Sequence, residues 1–338
     1  MSNVMKAVRL HGFGGPEMLK YEDAPQPEPQ AGEVLVRVHA IGVNPPDWYL
    51  REGYKMLPSE WQPQVSFPII PGTDISGTVE AVADDVRAFK TGDEVYAMVR
   101  FPAGLAGKSS AYAEYVAVPA TELALKPAGI DPAHAAAAPM SLLTAWQFLI
   151  DLGHNEPNPL QAQPHVPVPL AGKTVLVNGA AGGVGHLLVQ LAKWRGAHVI
   201  AVASGRNEAF LRELGADVFI DYAKTAAEDV VRDLDLVVDA VGGPETGRFL
   251  PTLKRGGALF PIFPLGFDGR EESKRLGVTV STTQVRSNGL QLASVAPLLD
   301  SGTIRVAIDS RFPLAEARKA HERAAGGHIR GKIVLTVD

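Results

Sequence analysis

Between Thr174-Val175-Leu176-Val177, which reads as a buried strand, and an apolar run with helical spacing over 185–194, the chain carries Asn178-Gly-Ala-Ala-Gly182-Gly-Val-Gly185. A glycine-rich turn that leaves a strand and opens a helix constrains a chain more than any other feature here. The bare glycines let backbone come close to a ligand, and the first turn of the helix offers N–H groups with no intrahelical acceptor, which suits an anion. Gly182 is placed to let the backbone approach a pyrophosphate, and Gly185 to let the helix pack closely on the strand; Ala180 stands where the first glycine of the usual pattern falls. Ala181, Gly182, Gly183, Val184 and Gly185 are thus the expected phosphate cradle. The spacing alone also fits a plain structural turn, and it is the flanking strand and helix that favour a dinucleotide.

The residues that follow extend this unit. Strand-like apolar runs recur at 198–202, 218–220, 234–238, 258–262 and 278–280, with helical segments between them. Strands buried on both faces read as continuous apolar runs, so six of them alternating with helices predict an α/β domain with a doubly wound parallel sheet, the Rossmann arrangement. The first 130 residues differ: short alternating runs such as 33–38, 77–82, 92–97 and 113–118, punctuated by Pro and Gly, predict an irregular and mostly antiparallel β domain. From residue 131 the texture turns to Ala-rich helix over 135–150, with Pro139 as a kink. Residues 153–170 are rich in Pro and lack periodicity, which predicts a surface excursion. A helix over 290–299 ends at Ser301-Gly302; strand at 304–308, helix at 314–325 and strand at 332–337 follow, and the tail is expected to return to the first domain. The division expected is 1–130 with 303–338 for the β domain and 131–302 for the dinucleotide domain.

Charge and composition exclude several partners. A net charge of -5 gives no footprint for nucleic acid or anionic lipid. No 18-residue apolar run marks a membrane span, and the charges within Met1–Arg9 interrupt any signal-peptide core, so cytoplasmic residence is the expectation. With no Cys in the chain, disulfides, thiolate nucleophiles and Cys-containing zinc sites are all ruled out. A small neutral or anionic ligand remains.

The end of the second strand of the parallel sheet is where an NAD enzyme places a carboxylate against the ribose hydroxyls. Here the chain has Ala203-Ser204-Gly205-Arg206-Asn207 instead. A 2'-phosphate meets no repulsion from these residues, Ser204 can donate a hydrogen bond to it, and Arg206 a charge-assisted one. NADPH is the expected cofactor; the competing reading of Arg206 is a solvated loop residue.

Together with 42–53 (GVNPPDWYLREG), 71–79 (PGTDISGTV), 89–95 (FKTGDEV), 214–217 (LGAD), 239–243 (DAVGG) and 331–335 (GKIVL), this pattern resembles the quinone oxidoreductase branch of the medium-chain dehydrogenases/reductases over nearly the whole chain. The resemblance implies that the β domain is GroES-like and catalytic. It implies Asn44, Tyr49 and Tyr54 at the mouth of the acceptor site with Asp47 beside them, Asn44 as a donor to a developing oxyanion and a Tyr hydroxyl orienting the acceptor or giving a proton. Solvent is an equal candidate for the proton. The plain alternatives are Tyr49 and Tyr54 as packing aromatics and Asn44 as a turn cap. The resemblance further puts Thr144 near the nicotinamide or its phosphate, Tyr222 near the adenosine 2'-phosphate, Val241 and Gly242 at ribose, Phe260 and Ile262 at the carboxamide through their backbone, and Lys332 or Arg330 over the phosphates. Residues 56–67, with Trp61 and Phe67, suit either a lid on an apolar acceptor or plain cover for the β domain.

In the zinc-dependent relatives a Cys and a His-Glu pair stand where this chain has Asn44 and Thr73-Asp74. Neither set is present, the nine His include no close pair, and no metal is expected. His11, His39, His134 and His321 read as surface or structural residues. Without a metal to polarise oxygen, hydride transfer to a conjugated acceptor is the natural chemistry, because conjugation spreads the charge. The expectation is an NADPH-dependent reductase of a quinone or other conjugated carbonyl, working as a homodimer through the sheet edge near Val278–Val280. The alternatives are an enoyl or 2-haloacrylate-type reductase acting on an acid or thioester, and an NADPH-binding structural or regulatory protein with little catalysis.

Overall fold

A computed structural model describes residues 3–102, 111–156 and 164–337. Strands β1 (Val4–Leu10), β2 (Leu19–Pro25) and β3 (Glu33–Val43) lead into helix α1 (Pro45–Arg51), followed by β4 (Asp74–Val82), β5 (Glu94–Met98), β6 (Tyr115–Pro119), β7 (Leu123–Leu125), α2 (Pro132–Ala137) and α3 (Pro139–Leu149). The middle of the chain alternates β8 (Thr174–Asn178), α4 (Gly185–Trp194), β9 (His198–Ala203), α5 (Glu208–Glu213), β10 (Val218–Asp221), α6 (Ala227–Val230), β11 (Leu234–Asp239), β12 (Leu253–Pro261), α7 (Arg270–Leu276) and β13 (Thr279–Val280). Helix α8 (Gly289–Asp300), β14 (Ile308–Pro313), α9 (Ala317–Ala325) and β15 (Lys332–Thr336) close it. Among the described residues no helix is long and apolar enough to cross a membrane.

Two compact units result: Met1–Leu143 with Val285–Gly302 and Val306–Asp338, and Thr144–Gln284 with Thr303–Arg305. In the first, β1 and β2 form an antiparallel hairpin, and a larger sheet runs β14-β15-β3-β4-β5-β7 with β6 on β3. The length of β3 explains that branch. Its first half, Glu33 to Arg37, pairs with β6, and its second half, Ala40 to Val43, with β15, so the chain's tail completes this sheet. Val34, Val36, Ile41, Ile75, Val95 and Leu335 are buried between the faces, as period-two alternation predicts.

The boundaries fall elsewhere than the sequence texture implies. Residues 131–143 and 285–302 belong to the β unit. Helix α2 packs on β3 so closely that a Cβ on Gly42 would stand 2.3 Å from the Ala136 carbonyl oxygen. Helix α8 is tied to β5 by the Tyr96 hydroxyl, which donates to the Leu292 carbonyl at 2.8 Å. The Ala-rich segment is two helices interrupted at Ala138, since Pro139 has no N–H with which to continue the first. The strand expected over 304–308 begins only at Ile308. Ile304 and Val306 are buried, so their apolar character reflects packing rather than pairing. The Pro-rich excursion is also corrected in part: residues 157–163 lie outside the described residues, but His165 is 2 % exposed and Leu170 4 %.

In the second unit the six strands run β10-β9-β8-β11-β12-β13, all parallel. The order reverses between β8 and β11, and ligands in open α/β sheets bind outside the carboxyl ends of the strands at such a reversal. Leu176, Val237, Leu259 and Phe249 are fully buried in its core. Replacing Phe249 by Ala is expected to destabilise the protein by about 3–5 kcal/mol, the usual cost of an aromatic-sized cavity, read as the shift in a urea unfolding curve.

Candidate active site

At the β8–β11 reversal, Asn178 and Asp239 are paired residues at the ends of adjacent strands. The buried Asp239 carboxylate accepts from Asn178 Nδ2 at 2.8 Å, from the N–H groups of Val241 and Gly242 at 3.1 and 3.0 Å, and from the Thr246 hydroxyl at 2.6 Å. One carboxylate thereby holds both loops that border the crevice. The role of Asp239 is not legible in the local sequence, because its partners come from three segments.

After β8 the chain turns at Gly179, whose φ of +71° favours glycine. A Cβ on Gly185 would stand 2.1 Å from the Gly179 carbonyl oxygen, so helix α4 starts against the turn at a distance only glycine allows. At Gly182 a Cβ would meet nothing nearer than that same oxygen at 3.4 Å; the position is open, as a ligand-facing glycine has to be. Ala181 is buried, while Gly182, Gly183 and Val184 are half-buried ahead of the helix. Open cradle, helix N-terminus and strand-order reversal coincide, and these residues fit a dinucleotide pyrophosphate.

Beyond β9, Ser204 is half-buried and its hydroxyl accepts from Asn207 Nδ2 at 3.0 Å, while Arg206 is exposed. Tyr222 and Val241 are 51 % and 62 % exposed. A carboxylate does reach this corner, brought by the neighbouring strand: Asp221 pairs with Ala203, and its Oδ2 would lie 2.5 Å from a Cβ on Gly205. Lys224 faces it at 3.6 Å. Local sequence did not show this, since Asp221 becomes a neighbour only through the sheet. Thr144 is buried on α3. Phe260 has its ring in the core, 4.5 Å from that of His165, and the Ile262 N–H donates to the Asp239 carbonyl at 3.0 Å.

The β unit gathers a second set of polar groups. Strand β3 passes into α1 at Asn44, whose N–H donates to Asp47 Oδ2 at 2.8 Å, the reach-back of a helix cap. Tyr112 donates its hydroxyl to the same oxygen at 2.9 Å. Arg51 donates to His321 Nδ1 at 2.8 Å, which leaves the proton on Nε2 to face the Tyr112 oxygen at 3.0 Å. A directed chain thus runs Arg51, His321, Tyr112, Asp47. Burial pushes the Asp47 carboxyl up to about 7 against these donors, and pushes His321 down to about 3 with help from the Arg51 charge, so the imidazole is neutral.

Lys332 is placed otherwise than expected. It does not reach over phosphates; it is 3 % exposed inside the β unit, donating to the Val43 carbonyl at 3.0 Å and to Asn44 Oδ1. Burial depresses its pKa, while Asp74 and Asp47 hold the charge on it. Asp74 itself is fully buried and accepts from the Met140 N–H at 3.0 Å; burial lifts its carboxyl to about 6, and Lys332 draws it back. Asn44 is 1 % exposed, Asp47 2 % and Tyr54 4 %, so all three are buried in this unit. Tyr49 is half-buried on α1; burial raises the pKa of both tyrosines, keeping the hydroxyls protonated. Asn44 stands at the N-terminus of α1, with its side chain bonded to Lys332 and the Gly42 carbonyl and not to the helix.

The chain is similar to known proteins over nearly its whole length. Residues 30–128 match the family model described as alcohol dehydrogenase GroES-like domain, and residues 214–335 the one described as zinc-binding dehydrogenase. The chain is 31 % identical to a chloroplastic quinone-oxidoreductase homolog of Spinacia oleracea, over 99 % of each. It is 34 % identical to the NADPH-dependent alkenal/one oxidoreductase of Arabidopsis thaliana, over 98 % of this chain and 79 % of that one. The solved quinone oxidoreductase of Coxiella burnetii superposes with a TM-score of 0.84 at 32 % identity, covering 99 % of this chain and 100 % of the other. The chain belongs to the medium-chain dehydrogenase/reductase superfamily, in its quinone oxidoreductase-like branch.

The residues of this quinone oxidoreductase-like chain do not fit the zinc that one matched description names. There is no Cys. Among the described residues no three His, Asp or Glu side chains converge to hold an ion. Beside Asn44 and Asp74 the place is taken by an ammonium, which repels a metal cation.

The buried Asp47 also makes the reductase's stability pH-dependent in a defined direction. Its carboxyl titrates near 3.8 when unfolded and near 7 when folded, so the folded state holds a proton that the unfolded chain releases between those values. This contribution is fully present below 3.8 and is lost as pH rises through 7. Asp47→Asn removes that titration, and urea unfolding between pH 4 and 7 is expected to show a shallower fall in stability than in the wild type; Asp74, with a similar but smaller shift, keeps part of it. An unchanged slope would show that Asp47 is already ionised across the range.

Proposed function

We propose that this protein is an NADPH-dependent reductase of quinones or other conjugated carbonyl compounds, working without zinc. The observation that carries the reading is the open glycine cradle at the β8–β11 reversal, in a chain whose full-length relatives are named for quinone and alkenal/one oxidoreduction. Bound reduced nicotinamide supplies a hydride. The rest is the work of this chain's own residues.

The N–H groups of Gly183, Val184 and Gly185 would bind the pyrophosphate, with Gly182 leaving room for its approach, and Asp239 keeps Val241 and Gly242 in place beside it. Arg206 and Ser204 would bind the 2'-phosphate, with Tyr222 packing near it. Asp221 disfavours that phosphate, while Lys224 beside it offsets the charge. In the β unit, Tyr49 and Tyr54, kept protonated by burial, would orient the acceptor oxygen by hydrogen bonding. A conjugated acceptor spreads the incoming charge, so neutral donors can stabilise it in a dry site. Assembly as a homodimer is part of the proposal: β13, two residues long, ends the parallel sheet, and an uncovered edge favours pairing with a second copy.

Turnover should be seen when purified protein and NADPH are given a panel of quinones, 2-alkenals and enones. Turnover of enoyl thioesters alone would assign the acid or thioester chemistry instead. Dialysis against EDTA is expected to leave the rate unchanged. Arg206→Ala should weaken NADPH binding about tenfold, the loss of one charge-assisted contact, and NADH binding by less than about twofold; equal losses would remove the 2'-phosphate role.

A further inference from the structure

A lysine, two carboxylates and an asparagine, each at least 97 % buried, share one place in the β unit: Lys332, Asp47, Asp74 and Asn44. Buried charges are costly and are kept where geometry compensates them. Lys332 does more here than balance charge. Its ammonium straddles the last residue of β3 and the first turn of α1, donating to the Val43 carbonyl at 3.0 Å and to Asn44 Oδ1. The Asn44 N–H is fixed from the other side by Asp47, at 2.8 Å. With its oxygen bound to the ammonium, the Asn44 amide has one orientation, its NH2 group turned away from Lys332, with a long 3.3 Å contact to the Gly42 carbonyl and the Asp74 carboxylate as its second partner. A cation on the oxygen of an amide also makes the N–H groups of that amide stronger donors.

We infer that Lys332 is a positioning residue for the reduction, holding Asn44 as an oriented and polarised amide donor at the start of the helix that carries Tyr49. This rests on the reading of the protein as a reductase. The ammonium supplies a fixed positive charge from the chain itself. An exchange of the weak Gly42 contact for a bond to the acceptor oxygen, as negative charge develops there, would spend the polarisation where it counts.

The test separates charge balance from positioning. Lys332→Met alone leaves two buried carboxylates uncompensated and is expected to fold poorly. The double variant Lys332→Met/Asp74→Asn removes one charge of each sign and should restore the melting temperature and NADPH affinity; because Asp74 touches the same amide, its kcat is read against Asp74→Asn alone. With the acceptor that turns over fastest in the wild type, the double variant is expected to lose about tenfold in kcat with KM for NADPH unchanged. In an Asn44→Ala background the same pair of changes should cost less than about twofold further, because the effect passes through Asn44. Full kcat in the double variant, or a loss that multiplies fully with Asn44→Ala, overturns the proposal. If no acceptor is reduced, the functional reading fails by itself, and a second readout still decides the structural claim. The side-chain amide resonances of Asn44, assigned by their absence in Asn44→Ala, should shift and exchange faster with solvent in the double variant; unchanged resonances overturn the role of Lys332.

Discussion

The approach of α4 to the turn after β8 governs the α/β unit. A Cβ at residue 185 would overlap the Gly179 carbonyl, so the helix begins where only a glycine lets it begin. The sheet supplies the rest of the place. Strand order reverses between β8 and β11, opening a crevice, and Asp239 joins the ends of both strands through Asn178, Val241, Gly242 and Thr246. Close packing, crevice and anion-favouring helix end are one local arrangement, which is why a short glycine pattern in the right strand-helix context carries so much information.

The β unit solves a different problem. It holds Arg51, His321, Tyr112, Asp47, Asn44, Asp74 and Lys332 out of water, and an unpartnered charge there would cost several kcal/mol. The solution is directional. Arg51 feeds a chain of donors that ends on Asp47, and Lys332 bonds the carbonyl and amide oxygens at the β3–α1 junction. Both ends converge on Asn44, which ties the last pairing residues of β3 to the helix bearing Tyr49. A neutral His321 suits this role, since its two nitrogens serve as one acceptor and one donor.

Elements with strong periodicity were legible in the sequence. All six parallel strands and α4 follow from apolar runs and the glycine turn. Weak periodicity misled: Ile304 and Val306 are apolar because they are buried, and the strand starts at Ile308. The β1–β2 hairpin went unread, although Val4 to Leu10 alternates, because nothing in that segment announces its partner. In the site, backbone-mediated features were readable and charge-mediated ones were not. Lys332 near a chain end looks like a solvated cation, and only the antiparallel pairing of β15 with β3 carries it to Asn44. Asp221 likewise reaches the Ser204–Arg206 corner through β10, 17 residues after Ser204 in sequence. Long-range register, which a single sequence does not encode locally, decides both.

Titrating the purified chain with NADPH, followed through the fluorescence of the reduced nicotinamide, tests the central claim most directly. The account predicts one saturable site per chain, with NADPH bound more tightly than NADH. Absence of saturable binding for either nucleotide would contradict it.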